Sequence, residues 1–140
     1  MPENTMSDWR SLLSDETRHL QNKTADKEAE VRLFRMFEPD VVPGLLQIPE
    51  YARACLNHDG RLDDAPDDLD DAIQARMRRQ EILHDETKRF HFVITEATLR
   101  HRYCSTSGML AQLDRLLSSL SLPNAQLGVI GFDATYKVGP

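Results

Sequence analysis

The side chains of this chain that could support catalysis or metal binding are a histidine and cysteine pair, His101-x-x-Cys104, with His84, His91 and Glu96 nearby in sequence. A cysteine in contact with a histidine can act as an activated nucleophile, and the spacing is one half of a zinc site, which needs about four ligands. No second close pair follows. The phosphate-cradling GxxxxGK[ST] motif and the GxGxxG, HExxH and GxSxG motifs are absent as well. We therefore predict no catalytic residues, no metal and no cofactor, and keep a small hydrolase-type enzyme as a remote alternative.

Glu96 is an acidic residue at the end of a predicted apolar strand, where a carboxylate is costly to bury unless it is paired. Arg76 or Arg79, on the preceding predicted helix, could supply the partner. We favour such an ion pair between helix and strand. A carboxylate that binds a ligand and a general acid or base remain as alternatives.

The composition is that of one soluble domain with a core. The chain has 140 residues, of which 40% are hydrophobic and 29% charged. No apolar run approaches the ~20 residues of a membrane span, and the first residues do not resemble a signal peptide. We expect a cytoplasmic protein in which Cys55 and Cys104 are reduced thiols, with a disulfide as the less favoured state.

The net charge of −6 disfavours direct binding of this chain to nucleic acid. The charges are unevenly distributed, because acidic residues 63–71 precede a basic stretch that begins at Arg76. We interpret both stretches as solvated helix faces and helix-end charges, with a phosphate-binding face as the minor alternative.

Hydrophobic periodicity predicts an α+β fold, in which several amphipathic helices pack on a small mixed sheet. Residues 1–6 are predicted to be a disordered leader, and residues 7–140 a single domain that is incomplete at its C-terminus. Residues 90–132 predict a right-handed strand-helix-strand unit with parallel strands. Helices are predicted to begin near Ser7, Thr24, Pro49, Asp67 or Asp68, Thr95 and Ser107, and strands to end near Glu38, Thr95 and Phe132.

Two local expectations concern the loop before Pro49 and the helix after Ser107. Pro43-Gly44 suits a type II turn, in which glycine takes a positive φ. Ser107 is expected to cap a helix that buries one apolar face. That face consists of Met109, Leu110, Leu113, Leu116, Leu117 and Leu120.

Several motifs occur together in one order along the chain. PGLLQ-x-PEYARA spans residues 43–54, RxxRQ spans 76–80, FVITEATLR spans 92–100, and MLAQLDRL and LPNAQLGVI follow. Over residues 8–132 the chain resembles the C-terminal domain of unknown function of actinobacterial Cro/XRE-type helix-turn-helix transcription regulators, including whiJ-like and antitoxin-like members. The helix-turn-helix itself and the last part of that domain are missing from the resemblance.

The resemblance implies a non-catalytic regulatory domain of a transcription regulator, either ligand-sensing or protein-interacting. Its partners would be the helix-turn-helix DNA-binding domain of the parent regulator and a small cognate protein, with no direct nucleic-acid binding and no membrane. The candidate ligand or partner residues are Pro43, Gly44, Leu46, Gln47, Tyr51, Arg76, Arg79, Gln80 and Glu96. We expect the PGLLQ turn and the RxxRQ helix to border a cleft near the end of strand 90–95.

An alternative function needs no ligand. The domain would then be a dimerisation domain or scaffold, and a homodimer would form through the helix at 107–120 or the strand at 126–132.

Overall fold

The structure is a computed structural model that describes residues 30–58 and 66–135. Within these residues, three strands form one sheet in the order β1-β2-β3. They are β1 (Leu33–Glu38), β2 (Arg89–Thr95) and β3 (Ala125–Ile130). The α-helices of the described residues are α1 (Pro49–His58), α2 (Pro66–Arg79), α3 (Glu96–Arg100) and α4 (Thr106–Ser119), and short 3-10 helices span Gly44–Leu46 and Gln80–His84. The predicted leader and the helix predicted from Ser7 lie outside the described residues, as does most of the helix predicted from Thr24.

The α+β class is confirmed, but the strands that are described are all parallel, whereas the sequence predicted a mixed sheet. Phe34 of β1 pairs with Phe90 of β2, which pairs with Ala125 of β3. The parallel strand-helix-strand order of β2, α4 and β3 agrees with the prediction. Parallel neighbours need long connections, and helices supply them here between each pair of strands.

One face of the sheet forms the core. Phe34, Phe90, Phe92 and Ile94 alternate with more exposed residues along β1 and β2, as the two-residue period of a strand requires. The rings of Phe34 and Phe90 stack with their centroids 4.9 Å apart. Tyr51 of α1 and Leu116 of α4 are buried in the same cluster. Because the strands are parallel, their carboxyl ends lie at the same edge of the sheet, and the loop that follows β1 begins at this edge.

The packing of α4 differs from the prediction. Met109 and Leu116 are buried, and Leu113 is half-buried, but Leu110, Leu117 and Leu120 are 63%, 65% and 55% exposed. The packed face instead includes Gly108, Gln112 and Ser119. The predicted face is therefore correct for Met109, Leu113 and Leu116 and wrong for Leu110, Leu117 and Leu120.

The residue that caps the start of α4 also differs from the prediction. Ser105, rather than Ser107, is the N-cap, and its Oγ accepts a hydrogen bond from the Gly108 backbone N–H at 3.1 Å. The Ser105 hydroxyl also donates to Glu50 Oε1 at 2.7 Å. This second contact joins the start of α4 to the start of α1.

The loop after β1 does not contain the predicted type II turn. Gly44 begins a 3-10 helix, in which the Leu46 N–H donates to the Pro43 carbonyl at 2.9 Å. The φ of Gly44 is outside the left-handed region. Pro49 begins α1 as predicted, since a first helical position needs no N–H donor.

Candidate functional site

A cleft of about 440 Å³ opens beside the carboxyl end of β1. Ligands commonly bind outside the carboxyl ends of parallel strands, and the volume lies in the range of small-molecule sites. The strand that contributes to the cleft is β1, whereas the sequence placed the cleft near the end of β2. The lining residues are Met36, Glu38, Val41, Val42, Gly44, Leu45, Gln47, Cys55, Arg76, Arg79 and Tyr103.

Buried glutamine side chains hold the loop that forms one wall of this cleft. Gln47 donates from Nε2 to the Val42 carbonyl at 2.8 Å. Gln80 donates from Nε2 to the Gly44 carbonyl at 3.0 Å and to the Gln47 carbonyl at 2.6 Å. Because buried backbone groups need partners, these amides stabilise the loop in one conformation.

A third glutamine reaches the same loop from α4. Gln112 is fully buried, its Oε1 accepts from the Ile48 N–H at 2.9 Å, and its Nε2 donates to the Leu46 carbonyl at 2.8 Å. The polar residue on the packed face of α4 is thus paired at both ends of its amide. This pairing joins α4 to the loop before α1.

The hydroxyl of Tyr51 completes the support of the loop. Tyr51 Oη accepts a hydrogen bond from the Val42 N–H at 3.1 Å, and its ring meets Tyr103 edge to face at 5.4 Å between centroids. Burial raises the pKa of Tyr51 well above its ordinary value. The phenol therefore stays neutral and acts as a structural partner of Val42.

Arginines of the last turn of α2 also line the cleft. Arg76 and Arg79 lie three residues apart, so their side chains leave the same side of the helix. Arg76 Nη1 donates to Gln47 Oε1 at 2.8 Å. Gln47 is 3% exposed, so the loop fixes the guanidinium of Arg76 through a buried amide.

An acidic group also reaches the cleft, since Glu38 is the last residue of β1. Desolvation by burial raises the pKa of Glu38 above its ordinary value. Among the described residues that line the cleft, the charged side chains are two arginines and one glutamate.

The predicted site residues are separated by the structure into three groups. Gly44, Gln47, Arg76 and Arg79 line the cleft. The others of the PGLLQ and RxxRQ motifs support it from behind: Pro43, Leu46 and Tyr51 are buried, and Gln80 holds the loop backbone.

Glu96 lies apart from the cleft lining. Its Oε2 accepts from Arg100 Nε at 2.9 Å, and its Oε1 accepts from the Phe132 N–H at 3.3 Å. These two contacts, the Phe132 N–H first, hold the pKa of Glu96 below its ordinary value. The predicted pairing with Arg76 or Arg79 is replaced by a contact between the start of α3 and the residues after β3.

The residues considered for catalysis occupy different surroundings. His91 is half-buried on β2 beside Arg89 and Gln126, and His101 contacts the Asp40 carbonyl through Nδ1 at 3.3 Å. Burial, and the charge of Glu50 after it, raise the pKa of Cys104. A raised pKa opposes formation of the thiolate that nucleophilic catalysis requires.

Several lining residues are not among those that the sequence predicts. Glu38, Cys55 and Tyr103 come from three separate segments that meet only in the folded chain. Glu38 alone carried a usable signal, because it ends a strand at the residue before Pro39. Neither Cys55 nor Cys104 forms a disulfide bond.

Within residues 30–58 and 66–135, no three histidine, cysteine, aspartate or glutamate side chains are placed to hold a metal ion together. No described helix has the length and apolar character needed to cross a membrane.

With the α+β fold and cleft defined, the chain can be compared with known proteins. The model of a family described as a domain of unknown function, DUF5753, matches residues 21–140. The match covers most of the chain, which therefore belongs to this family. No curated protein matches the chain, and no solved structure matches it.

Proposed function

We propose that this domain is a non-catalytic, ligand-sensing regulatory domain of a transcription regulator. The observation that carries the proposal is the cleft between the Gly44–Leu46 helix and the end of α2. Four of the predicted binding residues, Gly44, Gln47, Arg76 and Arg79, line it. The link to transcription rests on the resemblance to the domains that follow Cro/XRE-type helix-turn-helix heads.

The cleft has the properties of a binding site rather than of a packing defect. It combines apolar side chains such as Met36 and Leu45 with a few polar groups that converge on the same space. Sites for small molecules have this mixture, in which polar groups set orientation and apolar groups add affinity. The loop is already held by Gln47, Gln80 and Gln112, so little ordering would be needed on binding.

The elements around the cleft contact one another, which supports the proposal that ligand binding changes their arrangement. The 3-10 helix at its wall contacts α2, α4 and the 3-10 helix at Gln80–His84. A ligand that binds one arrangement of these elements more tightly than another shifts their populations. An attached DNA-binding head would respond to that shift.

The test is selection of small molecules from a cell extract. The purified chain is incubated with the low-molecular-weight fraction, and bound compounds are identified by ultrafiltration and mass spectrometry. Gly44→Leu adds a branched side chain to the cleft wall, and Gly44→Ala is its matched control. A Cβ at position 44 meets no atom within 4 Å, so both variants should fold.

We expect one or more compounds to be retained by the wild-type chain and by Gly44→Ala, but not by Gly44→Leu. Failure to retain any compound, or equal retention by the leucine variant, would contradict ligand sensing in this cleft. The regulatory part is tested by placing the domain behind a helix-turn-helix head. A reporter gene should then respond to the retained compound with Gly44→Ala and not with Gly44→Leu.

A second candidate function, a dimerisation or protein-interaction domain, is favoured by a different observation. Leu110, Leu113, Leu117 and Leu120 step by three, four and three residues along α4, and all but Leu113 are mainly exposed. This is the spacing by which one helix packs along another. A second copy of the chain or a small cognate protein could cover the leucines.

Sedimentation velocity at high micromolar concentration separates this candidate from ligand sensing by a monomer. Leu110→Lys with Leu117→Lys should convert a dimer to a monomer if the α4 leucines form the interface. Ala111→Lys with Ser118→Lys places the same charges on another exposed side of α4 as a control. A wild-type chain that sediments as a monomer would rule out the homodimer.

A further inference from the structure

We infer that the open face of the sheet, opposite the packed face, carries a second binding site for a small phosphate monoester with a hydroxylated body. Arg89, His91 and Gln126 bind the phosphate group of this ligand. The site shares no lining residue with the cleft beside β1, so it does not depend on the proposed function.

A cavity of about 470 Å³ lies at the amino ends of β2 and β3. Its lining residues are Glu86, Arg89, His91, Pro123, Asn124 and Gln126. All of them except Pro123 have polar side chains that can donate or accept hydrogen bonds. The volume lies in the range of small-molecule sites, and the polar lining suits a hydrophilic ligand.

The register of the sheet brings donor groups together at this cavity. Arg89 and His91 alternate with buried phenylalanines along β2, so both lie on the open face. His91 pairs with Gln126 of β3 on one side and with Arg35 of β1 on the other. Because neighbouring strands are only about 4.8 Å apart, these four side chains are close enough to act on one ligand.

The same donor groups are not used by the described parts of the chain. Within residues 30–58 and 66–135, the side chains of Arg89, His91 and Gln126 make no hydrogen bond or ion pair. The same holds there for the exposed side chain of Arg35. A guanidinium without an internal partner keeps its five N–H donors for a ligand.

Hydrogen bonds fix the walls of the cavity before a ligand arrives. Asn124 Nδ2 donates to the Asp85 carbonyl at 3.1 Å and to the Lys88 carbonyl at 3.0 Å. These bonds join the residue before β3 to the turn before β2, which contains Glu86. Binding therefore requires little ordering of the protein.

A phosphate monoester matches this set of donors in number and charge. Its three terminal oxygens can accept from the Arg89 guanidinium, the His91 imidazole and the Gln126 amide at once. Arginine binds phosphate oxygens with two parallel N–H···O bonds, and the charge of Arg35 on the neighbouring strand adds to the attraction. A carboxylate offers only two oxygens and one negative charge, so it satisfies fewer of these donors.

Glu86 indicates the character of the rest of the ligand. It is exposed, and it is the acidic residue among the described lining residues. An ionised carboxylate accepts hydrogen bonds from hydroxyl groups, whereas a second anionic group beside it would be repelled. The body of the ligand is therefore hydroxylated and uncharged, as in a sugar phosphate.

Titration with four probes tests the ligand class. Glucose 6-phosphate, gluconate, glucose and inorganic phosphate are each titrated into the 140-residue chain by calorimetry, and amide chemical shifts locate the binding. We expect glucose 6-phosphate to bind at least about 10-fold more tightly than each other probe, because it alone combines a phosphate with a hydroxylated body. The largest shifts should fall on Arg89, His91 and Gln126.

Variants assign the binding to this cavity. Arg89→Gln should weaken the binding of glucose 6-phosphate at least about 10-fold, and Arg89→Lys should retain part of the affinity, since it keeps the charge without the planar fork. Arg78→Gln is the matched control, because Arg78 is exposed and does not line the cavity. Gly44→Leu, in the cleft, should leave the affinity unchanged. An unchanged urea midpoint shows that each variant remains folded.

Each contrary result has a defined meaning. Equally tight binding of gluconate would overturn the phosphate, and equally tight binding of inorganic phosphate would overturn the hydroxylated body. Absence of binding by glucose 6-phosphate at millimolar concentration, or an equal loss in Arg78→Gln, would overturn the site. Loss of binding in Gly44→Leu would place the phosphate in the cleft and overturn the site as well. Failure of the extract selection leaves these results unaffected, because Gly44→Leu and Arg89→Gln change different sites.

Discussion

At the scale of single residues, glutamine side chains supply the hydrogen bonds to the loop backbone that water or a neighbouring strand supplies in other loops. Gln47, Gln80 and Gln112 together satisfy the backbone carbonyls of Val42, Gly44, Leu46 and Gln47. A glutamine amide both donates and accepts, so Gln47 can hold the loop and position Arg76 at once. Gln47, the last residue of the motif PGLLQ, thus supports both the loop backbone and the guanidinium of Arg76.

Gln112→Leu tests the support of the loop. The substitution leaves the Ile48 N–H and the Leu46 carbonyl without their partner in a buried place, and we expect a loss of ~1–3 kcal/mol in the free energy of unfolding. Urea denaturation measures it. The control Gln74→Leu, at an exposed position of α2, should change stability by less than about 0.5 kcal/mol. An unchanged midpoint for Gln112→Leu would contradict the assigned bonds.

Gly44→Ala tests the conformation of the turn. The glycine lacks a positive φ, and an added Cβ would meet no neighbour within 4 Å. Alanine reduces the conformational freedom of the unfolded chain, so we expect unchanged stability or a gain of up to ~1 kcal/mol. Thermal and urea denaturation should agree on the sign. A clear loss would indicate the type II turn with a left-handed glycine that the sequence first suggested.

The contact between Glu96 and the Phe132 N–H is expected to depend on pH. Its pKa is lowered in the folded chain by the Phe132 N–H and by Arg100. A lowered folded-state pKa means that the stabilisation is present above the unfolded-state value, about 4.3, and is lost as the pH falls through the folded-state pKa. The Phe132 amide resonance should therefore titrate at a pH below the ordinary pKa of a glutamate. In Glu96→Gln the same resonance should not titrate there.

At the scale of elements, α4 is apolar on more of its circumference than the sheet can cover. Its packed face contains Gln112 and Ser119, while three of its leucines face outward. The reason is the loop before α1, whose backbone requires Gln112. The rotation of α4 about its own axis is therefore explained by the hydrogen bonds that the loop backbone needs, and not by the spacing of the leucines.

Two adjacent leucines of α4, one buried and one exposed, provide a matched pair of substitutions that tests the orientation of the helix. Leu116 is 4% exposed, so Leu116→Ala should cost ~2–5 kcal/mol in the free energy of unfolding. Leu117→Ala, one residue on, should change it by less than about 0.5 kcal/mol in the monomer. Urea denaturation at low protein concentration measures both. Equal losses in the two variants would mean that α4 is rotated from the orientation described.

At the scale of the whole molecule, the described part of the sheet is covered unequally. Parallel sheets are commonly buried on both faces, but here Leu33 and Phe37 of β1 remain exposed opposite the packed face. Phe37 pairs in register with Val93, which pairs with Gly128. The side of the sheet opposite the packed face therefore exposes Leu33 and Phe37 of β1 beside the half-buried Val93.

Hydrogen exchange should report the order of stability across the sheet. β2 is the central strand, and Phe90, Phe92 and Ile94 are its buried side chains. We expect the amides of β2 to exchange most slowly, and those of β1 and β3 faster, because edge strands open at lower free energy. Exchange followed by NMR at several pH values tests this order. Faster exchange in β2 than in β3 would contradict the sheet order.

The sequence by itself determined the elements and the family. Period-two apolar residues marked β2, Pro39 marked the end of β1, and Pro49 marked the start of α1. These signals are local, since they depend on backbone geometry within a few residues.

Only the tertiary structure decided which groups meet. Gln47 bonds Arg76 across 29 positions, Gln112 bonds Ile48 across 64, and Glu96 bonds Arg100 and Phe132 instead of an arginine of α2. Such pairings depend on which buried backbone groups lack partners after the chain has folded, and no local pattern records that need. For the same reason the buried face of α4 became known only from the packed structure.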